Sequence, residues 1–177
     1  SVTARPNPRY FDSATVPETA LQRLLRSKAV LLPGCEVSYT DEATGQTLSW
    51  KYEGGLREYL LSELNGDAYI SPFEASGYAD ESTAWVVIWT AEGAIERESY
   101  VNLIPTPQGG THEAGLKDGL YQAMMAFMQA YGLQSKNVKV LSEDVFSRAN
   151  FVLSTKSIDP QFQGQTKEKL TSRDAMK

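Results

Sequence analysis

The sequence predicts an α+β domain, a mixed β-sheet backed by helices. Three observations lead there. Apolar residues recur at a 3.6-residue period between Thr15 and Pro33 and again from about Glu113 to Tyr131. Residues 35–52 read as two alternating runs joined by a turn, the pattern of a hairpin. The run Thr83 to Thr90 is apolar on both faces, as a strand covered on both sides must be. In chain order the elements are strand, helix, hairpin, helix, two or three strands, long helix and strand, which places helices over one face of a mixed sheet.

Residues 2–5 alternate as a strand tail, stopped by Pro6 and Pro8. Thr15-x-x-Glu18 has the form of a capping box, with Pro17 in the first turn of the helix it opens. Leu21, Leu24, Leu25 and Ala29 form that helix's apolar stripe, and Pro33-Gly34 ends it. Cys35, Val37 and Tyr39 alternate on one hairpin strand, and Leu48, Trp50 and Tyr52 on the other, with Asp41 to Gln46 as the turn. A short helix over 55–65 carries Leu56, Tyr59, Leu60 and Leu64 and stops at Asn65-Gly66.

After the central strand and the Glu92-Gly93 turn, Ile95 to Thr106 reads as one long strand, with Pro105 and Pro107 ending its ladder. Gly109-Gly110 leads into a helix over 113–131, whose core stripe is Leu116, Leu120, Met124, Phe127, Met128 and Tyr131, with Gly132 as its cap. A short helix near Ser142 to Ser147, with Ser142 and Asp144 as candidate caps, precedes a last strand from Phe151 to Ser157. The tail after Leu170 is polar and expected to fray. No internal repeat or low-complexity linker divides the chain, so the expectation is one domain over 1–177.

The 177 residues are 41% hydrophobic and 22% charged, as in ordinary globular proteins. No apolar run approaches the ~20 residues of a membrane helix. The absent initiator Met and the strand-like start point to a piece of something longer. Net charge of −5 argues against non-specific nucleic-acid binding by the whole surface, while leaving room for a local basic face. Cys35 and His112 are each the only residue of their kind, so neither a disulfide nor a four-ligand zinc site can be built. Cys35 reads as a buried, inert thiol in a reducing compartment.

Few motifs carry chemistry. Gln165-Thr166-Lys167, after Asp159-Pro160-Gln161-Phe162, places an amide and a compact positive charge on one loop, a combination suited to a terminal phosphate. Glu168 and Lys169 beside it read as surface charge. Gly109-Gly110-Thr111-His112-Glu113 puts two glycines before a helix N-terminus, either an anion cradle or a tight turn capped by Thr111. Glu143-Asp144 falls at a helix start, where capping explains it. The sequence has no Walker-type phosphate loop, and its lone His has no nucleophile at recognisable spacing.

Taken in order, Ser99-Tyr100-Val101-Asn102, Gly109-Gly110-Thr111-His112, Glu143-Asp144-Val145 and Pro160-Gln161-Phe162 with Gly164-Gln165-Thr166-Lys167 resemble the ATPase subunit of type IIA DNA topoisomerases, in its transducer domain. Arg5-Pro6-Asn7-Pro8-Arg9-Tyr10-Phe11 and Lys28-Ala29-Val30-Leu31-Leu32-Pro33-Gly34 look like the B subunit of the bacterial topoisomerase IV branch more than that of the gyrase branch. The resemblance spans essentially the whole chain.

It implies a ribosomal-protein-S-five-domain-two-like fold with a left-handed βαβ crossover. It also implies that residues 1–12 are a junction from a GHKL ATPase domain and 171–177 a tail toward a toprim part, neither domain having a counterpart here. By the same resemblance Gln165 and Lys167 contact the ATP γ-phosphate from across a domain boundary. Lys167 is the catalytic residue, stabilising charge on the transferring phosphoryl group. Lys117 matches a basic position lining the cavity for transported DNA, where Arg is the usual occupant. Arg23, Arg26 and Lys28 form a further basic patch.

ATP and magnesium belong to the parent enzyme, with no metal site and no cofactor expected in this piece. Implied partners are double-stranded DNA, the A subunit of topoisomerase IV and a second B subunit. The piece itself is expected to be a monomer without ATPase activity, from a cytoplasmic, nucleoid-associated bacterial enzyme. Two other classes fit the residues without the resemblance: a stand-alone small-anion or nucleotide-binding module, and an acidic DNA-associated accessory domain.

Overall fold

The computed structural model describes residues 1–11, 13, 15–78, 83–134 and 138–176. Residues 1–55 and 56–177 form two compact units.

In the first unit, helix α1 (Glu18–Leu31) lies against strand β1 (Val37–Asp41), which pairs antiparallel with β2 (Gln46–Trp50). Ala29 and Val30 are fully buried. The hairpin forms as its alternation requires: Asp41 accepts from Ala43 N and Thr44 Oγ1, both at 2.9 Å, and Gly45 takes φ 72° in the turn. Arg26 Nε donates to Tyr52 Oη at 2.8 Å with the guanidinium 5.9 Å from that ring's centre, so this member of the basic patch packs on an aromatic face.

Three expectations fail in this unit. Residues 2–5 are not a strand: among the described residues, no strand pairing includes them. Pro17 itself is the N-cap, and Thr15 Oγ1 turns to Ser13 Oγ at 2.7 Å instead of closing a capping box. Cys35 is exposed, because β1 begins two residues later, at Val37, and gives the thiol no inward register.

The second unit holds a five-stranded mixed sheet in the order β3-β4-β7-β5-β6, where β3 is Phe73–Tyr78, β4 Thr83–Trp89, β5 Arg97–Val101, β6 Ile104–Pro105 and β7 Ala149–Thr155. β7 pairs antiparallel with β4 and parallel with β5, as the mixed-sheet reading requires. The helices are α2 (Gly55–Glu63), α3 (Thr111–Ala130) and α4 (Ser142–Phe146). Val87, Ala149, Phe151 and Leu153 point to one side of the sheet and join Val145 and Phe146 of α4 in the core, with Leu116, Leu120 and Tyr121 of α3 packed against them. Val86, Ile88 and Val152 point to the other side and are equally sealed, so β4 and β7 are covered on both faces.

Two parts of this unit differ from expectation. The run from Ile95 to Thr106 folds back on itself: Asn102 and Leu103 take φ of 49° and 66°, and β6 returns antiparallel along β5. Asn102 tolerates this because its side chain brackets Ser157, accepting from its amide at 2.9 Å and donating to its carbonyl at 2.7 Å. The far half of α3 is not core, with Met124, Phe127 and Tyr131 at 37, 52 and 69% exposure. A 20-residue helix is ~30 Å long and a seven-residue strand ~23 Å, so α3 is longer than the strands of this sheet. On this exposed half, Phe127 and Tyr131 pack on each other with ring centres 4.5 Å apart and their planes 37° apart.

Candidate functional site

Gln165, Thr166 and Lys167 sit at the exposed tip of a loop whose legs are tied together. Thr171 donates to Gln161 O through both N (2.8 Å) and Oγ1 (3.0 Å), Gln161 N donates to Ser172 Oγ at 2.7 Å, and Gln163 N donates to Lys169 O at 2.9 Å. Gly164 (φ 82°) and Lys167 (φ 58°) make the two left-handed bends that turn the tip. Lys167 Nζ lies 6.0 Å from the centre of the Phe162 ring, and among the described residues no carboxylate is within ion-pair distance of it.

The returning leg is fixed to the start of α3. Gln108 N donates to Glu168 O at 3.0 Å, Leu170 N to Gly109 O at 3.0 Å, and Thr111 N to Leu170 O at 3.1 Å. Gln108 Nε2 adds a 2.6 Å bond to Glu168 Oε2. Gly110, at φ 144°, lies so close to this leg that a Cβ would fall 2.3 Å from Leu170 O. The paired glycines therefore serve a tight turn and a close backbone approach. Thr111 Oγ1 makes no hydrogen bond and is not the cap.

Behind the turn runs a buried polar chain. Ser99 Oγ donates to Glu113 Oε1 at 2.6 Å and lies 2.7 Å from Thr106 Oγ1, which is 3.1 Å from His112 Nε2. The Thr106 hydroxyl donates to Ser99 O at 2.9 Å, which leaves Nε2 as the donor toward it and Nδ1 as a bare acceptor. Nδ1 has no partner, and burial pushes the His112 pKa below its ordinary value, opposed by the nearby Glu113 charge.

Lys117 follows on the same helix, half-buried, its Nζ 3.5 Å from Glu113 Oε2 and 5.7 Å from the centre of the Phe151 ring. It lines an open cavity of about 400 Å³ with Arg97, Ser142, Glu143, Phe146 and Ser147. Arg97 is anchored there by Nε to Ala149 O at 3.0 Å and by Nη2 to Phe146 O. At α4 the cap is Leu141, whose N donates to Asp144 Oδ2 at 2.8 Å, so Asp144 serves as the carboxylate of the third turn position and Ser142 does not cap.

Among the described residues no cluster of His, Cys, Asp and Glu could hold a metal, and no helix is long and apolar enough to cross a membrane. The structure thus brings Gln165 and Lys167 onto one loop tip and places Lys117 on the helix to which that loop is tied. Sequence reasoning missed the tie itself, reading Glu168 as bare surface charge. It also missed Arg97 beside Lys117. The double glycine was the one available signal for the tie.

The model of the DNA gyrase B family matches residues 55–177. The chain belongs to that family. It is a domain of a type IIA topoisomerase B subunit. Among its curated relatives, the B subunit of DNA topoisomerase 4 from Pseudomonas aeruginosa is 45% identical over 99% of this chain, and that of Escherichia coli 42% identical over 98%. The chain spans about 28% of the length of each. Among solved structures, the topoisomerase IV ATP-binding domain of Francisella tularensis in complex with a small-molecule inhibitor superposes with a TM-score of 0.77 at 39% identity. The 43K ATPase domain of Thermus thermophilus gyrase B, in complex with an aminocoumarin, does so with 0.78 at 25%. Each superposition covers 97% of this chain and 47% of the other.

Proposed function

We propose that this chain is the transducer domain of an ATP-dependent type IIA topoisomerase of the topoisomerase IV kind. In this reading it couples ATP binding and hydrolysis on a neighbouring GHKL domain to DNA strand passage, and so to relaxation and decatenation. The observation that carries it is the Gln165–Lys167 tip: an exposed ammonium and amide on a loop tied at its base. That donor set fits a terminal phosphate held by another domain, with Lys167 offsetting phosphoryl charge and Gln165 orienting an oxygen or water. ATP with magnesium supplies that phosphate in the parent, and in this reading the neighbouring GHKL domain holds both. The chain alone then lacks ATPase activity and is a monomer.

Lys117, beside Arg97, faces the transported duplex in this reading, and the assembled enzyme pairs two B subunits with the A subunits of topoisomerase IV on the bacterial nucleoid. The likeness to B subunits of DNA topoisomerase 4 supports each of these steps. The test is phosphate release by a full-length B subunit carrying this segment. Lys167→Ala is expected to lower turnover by ~10²-fold or more, the usual scale for losing one transition-state charge donor. Turnover unchanged in that variant, or ATP hydrolysis by residues 1–177 alone, overturns the reading.

A further inference from the structure

We infer that Gln108 and Gly110 are positioning residues that make the Gln165–Lys167 loop and the Lys117 end of α3 parts of one moving body. This inference rests on the transducer reading and names the contacts through which that site would be regulated. Three backbone hydrogen bonds join the loop's returning leg to Gln108–Thr111: Gln108 N to Glu168 O, Leu170 N to Gly109 O and Thr111 N to Leu170 O. Leu170 is 1% exposed, so the last two are screened from competing water. The missing Cβ of Gly110 is what lets the two backbones meet. The Gln108–Glu168 bond, at 2.6 Å and to a charged acceptor, fixes the side of the loop next to Lys167.

Past the tie there is only helix. Lys117 lies six residues, or ~9 Å, beyond Thr111 along a continuous α3. Glu113, one turn before Lys117, is held by Ser99 of β5 and faces Lys117 at 3.5 Å. A pull on Lys167 is therefore delivered to the first turn of α3 rather than absorbed by a slack leg. A push on Lys117 travels back the same way, as reciprocal coupling requires.

The experiment uses a full-length B subunit carrying this segment, with ATP turnover measured with and without linear duplex DNA. Gln108→Ala removes an exposed side chain and leaves the core untouched. Its DNA-stimulated increment is expected to fall about fivefold more than its DNA-independent turnover. Glu168→Gln keeps an acceptor for Gln108 and is expected to keep the stimulation, whereas Glu168→Ala loses it. A purely structural role would lower both rates together. In a double-mutant cycle, Gln108→Ala and Lys117→Glu are expected to be non-additive on the DNA-stimulated rate.

Full stimulation in both Gln108→Ala and Glu168→Ala overturns the inference, as does strict additivity with Lys117→Glu. If the unsubstituted protein shows no ATP turnover, the transducer reading itself fails and takes this inference with it.

Discussion

Asn150 Nδ2 donates to Thr90 Oγ1 at 3.0 Å, with Asn150 fully buried and Thr90 1% exposed. The same amide's Oδ1 accepts from Glu96 N at 2.7 Å. One side chain in the middle strand thereby satisfies the Thr90 hydroxyl on one side and the Glu96 amide on the other. Asn150→Ala would leave both groups without that partner, Thr90 in a buried site. The expected loss is about 3 kcal/mol of unfolding free energy in urea titration, against about 1 kcal/mol for Thr90→Val, which removes a single partner. Equal losses for the two would contradict this division of labour.

His112 predicts a pH dependence of stability. Its folded-state pKa is lowered by burial, so above the unfolded value near 6.5 the ring is neutral in both states and the stability is whole. As pH falls below that value, the unfolded chain takes up a proton that the folded chain refuses, and stability drops until the lowered folded pKa is reached. One proton limits the slope to about 1.4 kcal/mol per pH unit. His112 is the chain's single histidine, so no other imidazole contributes to this slope below pH 6.5. Thermal unfolding of the parent should therefore shift down over that range, and the shift should vanish in His112→Asn.

At Lys117 the transducer reading makes a graded prediction. Lys117→Glu should weaken DNA stimulation of the full-length protein and flatten its salt dependence by about one phosphate contact. Lys117→Arg should retain stimulation, because charge is kept and a fork is added. The readout is the slope of log stimulation against log salt. A slope identical in all three proteins counts against a phosphate contact at this position.

Cys35, exposed just before β1, should react with one equivalent of a thiol reagent in the native chain without denaturant. Labelling that appears only after unfolding would restore the buried reading.

What the sequence revealed and what it hid follow from one distinction. Elements whose side chains carry their own period were visible: α1, the β1–β2 hairpin, the doubly covered β4 and the first half of α3. β3 was missed because Glu74 and Ser76 are exposed and Gly77 (φ 76°) bends the strand at a register shift, so an edge strand looked like a loop. The β5–β6 turn was hidden because Asn102 and Leu103 reach positive φ without a glycine between them. The exposure of the far half of α3 depends on what packs against it, which no helical pattern encodes. At the site, Gln165, Lys167 and Lys117 were legible by resemblance. The tie at Gln108–Leu170 was not, being made mostly of backbone groups that every residue carries.

The middle strand of the sheet, β7, is also the last of that sheet's five strands in chain order. It supplies both inner edges, to β4 about sixty residues upstream and to β5 about fifty. Until it emerges from the ribosome, β3–β4 and β5–β6 are two separate ribbons with open apolar edges and no common core. The second unit should therefore fold late and all at once, at the slow end for its size. A chain stalled or truncated before Ala149 would be left with unpaired strands and prone to aggregate.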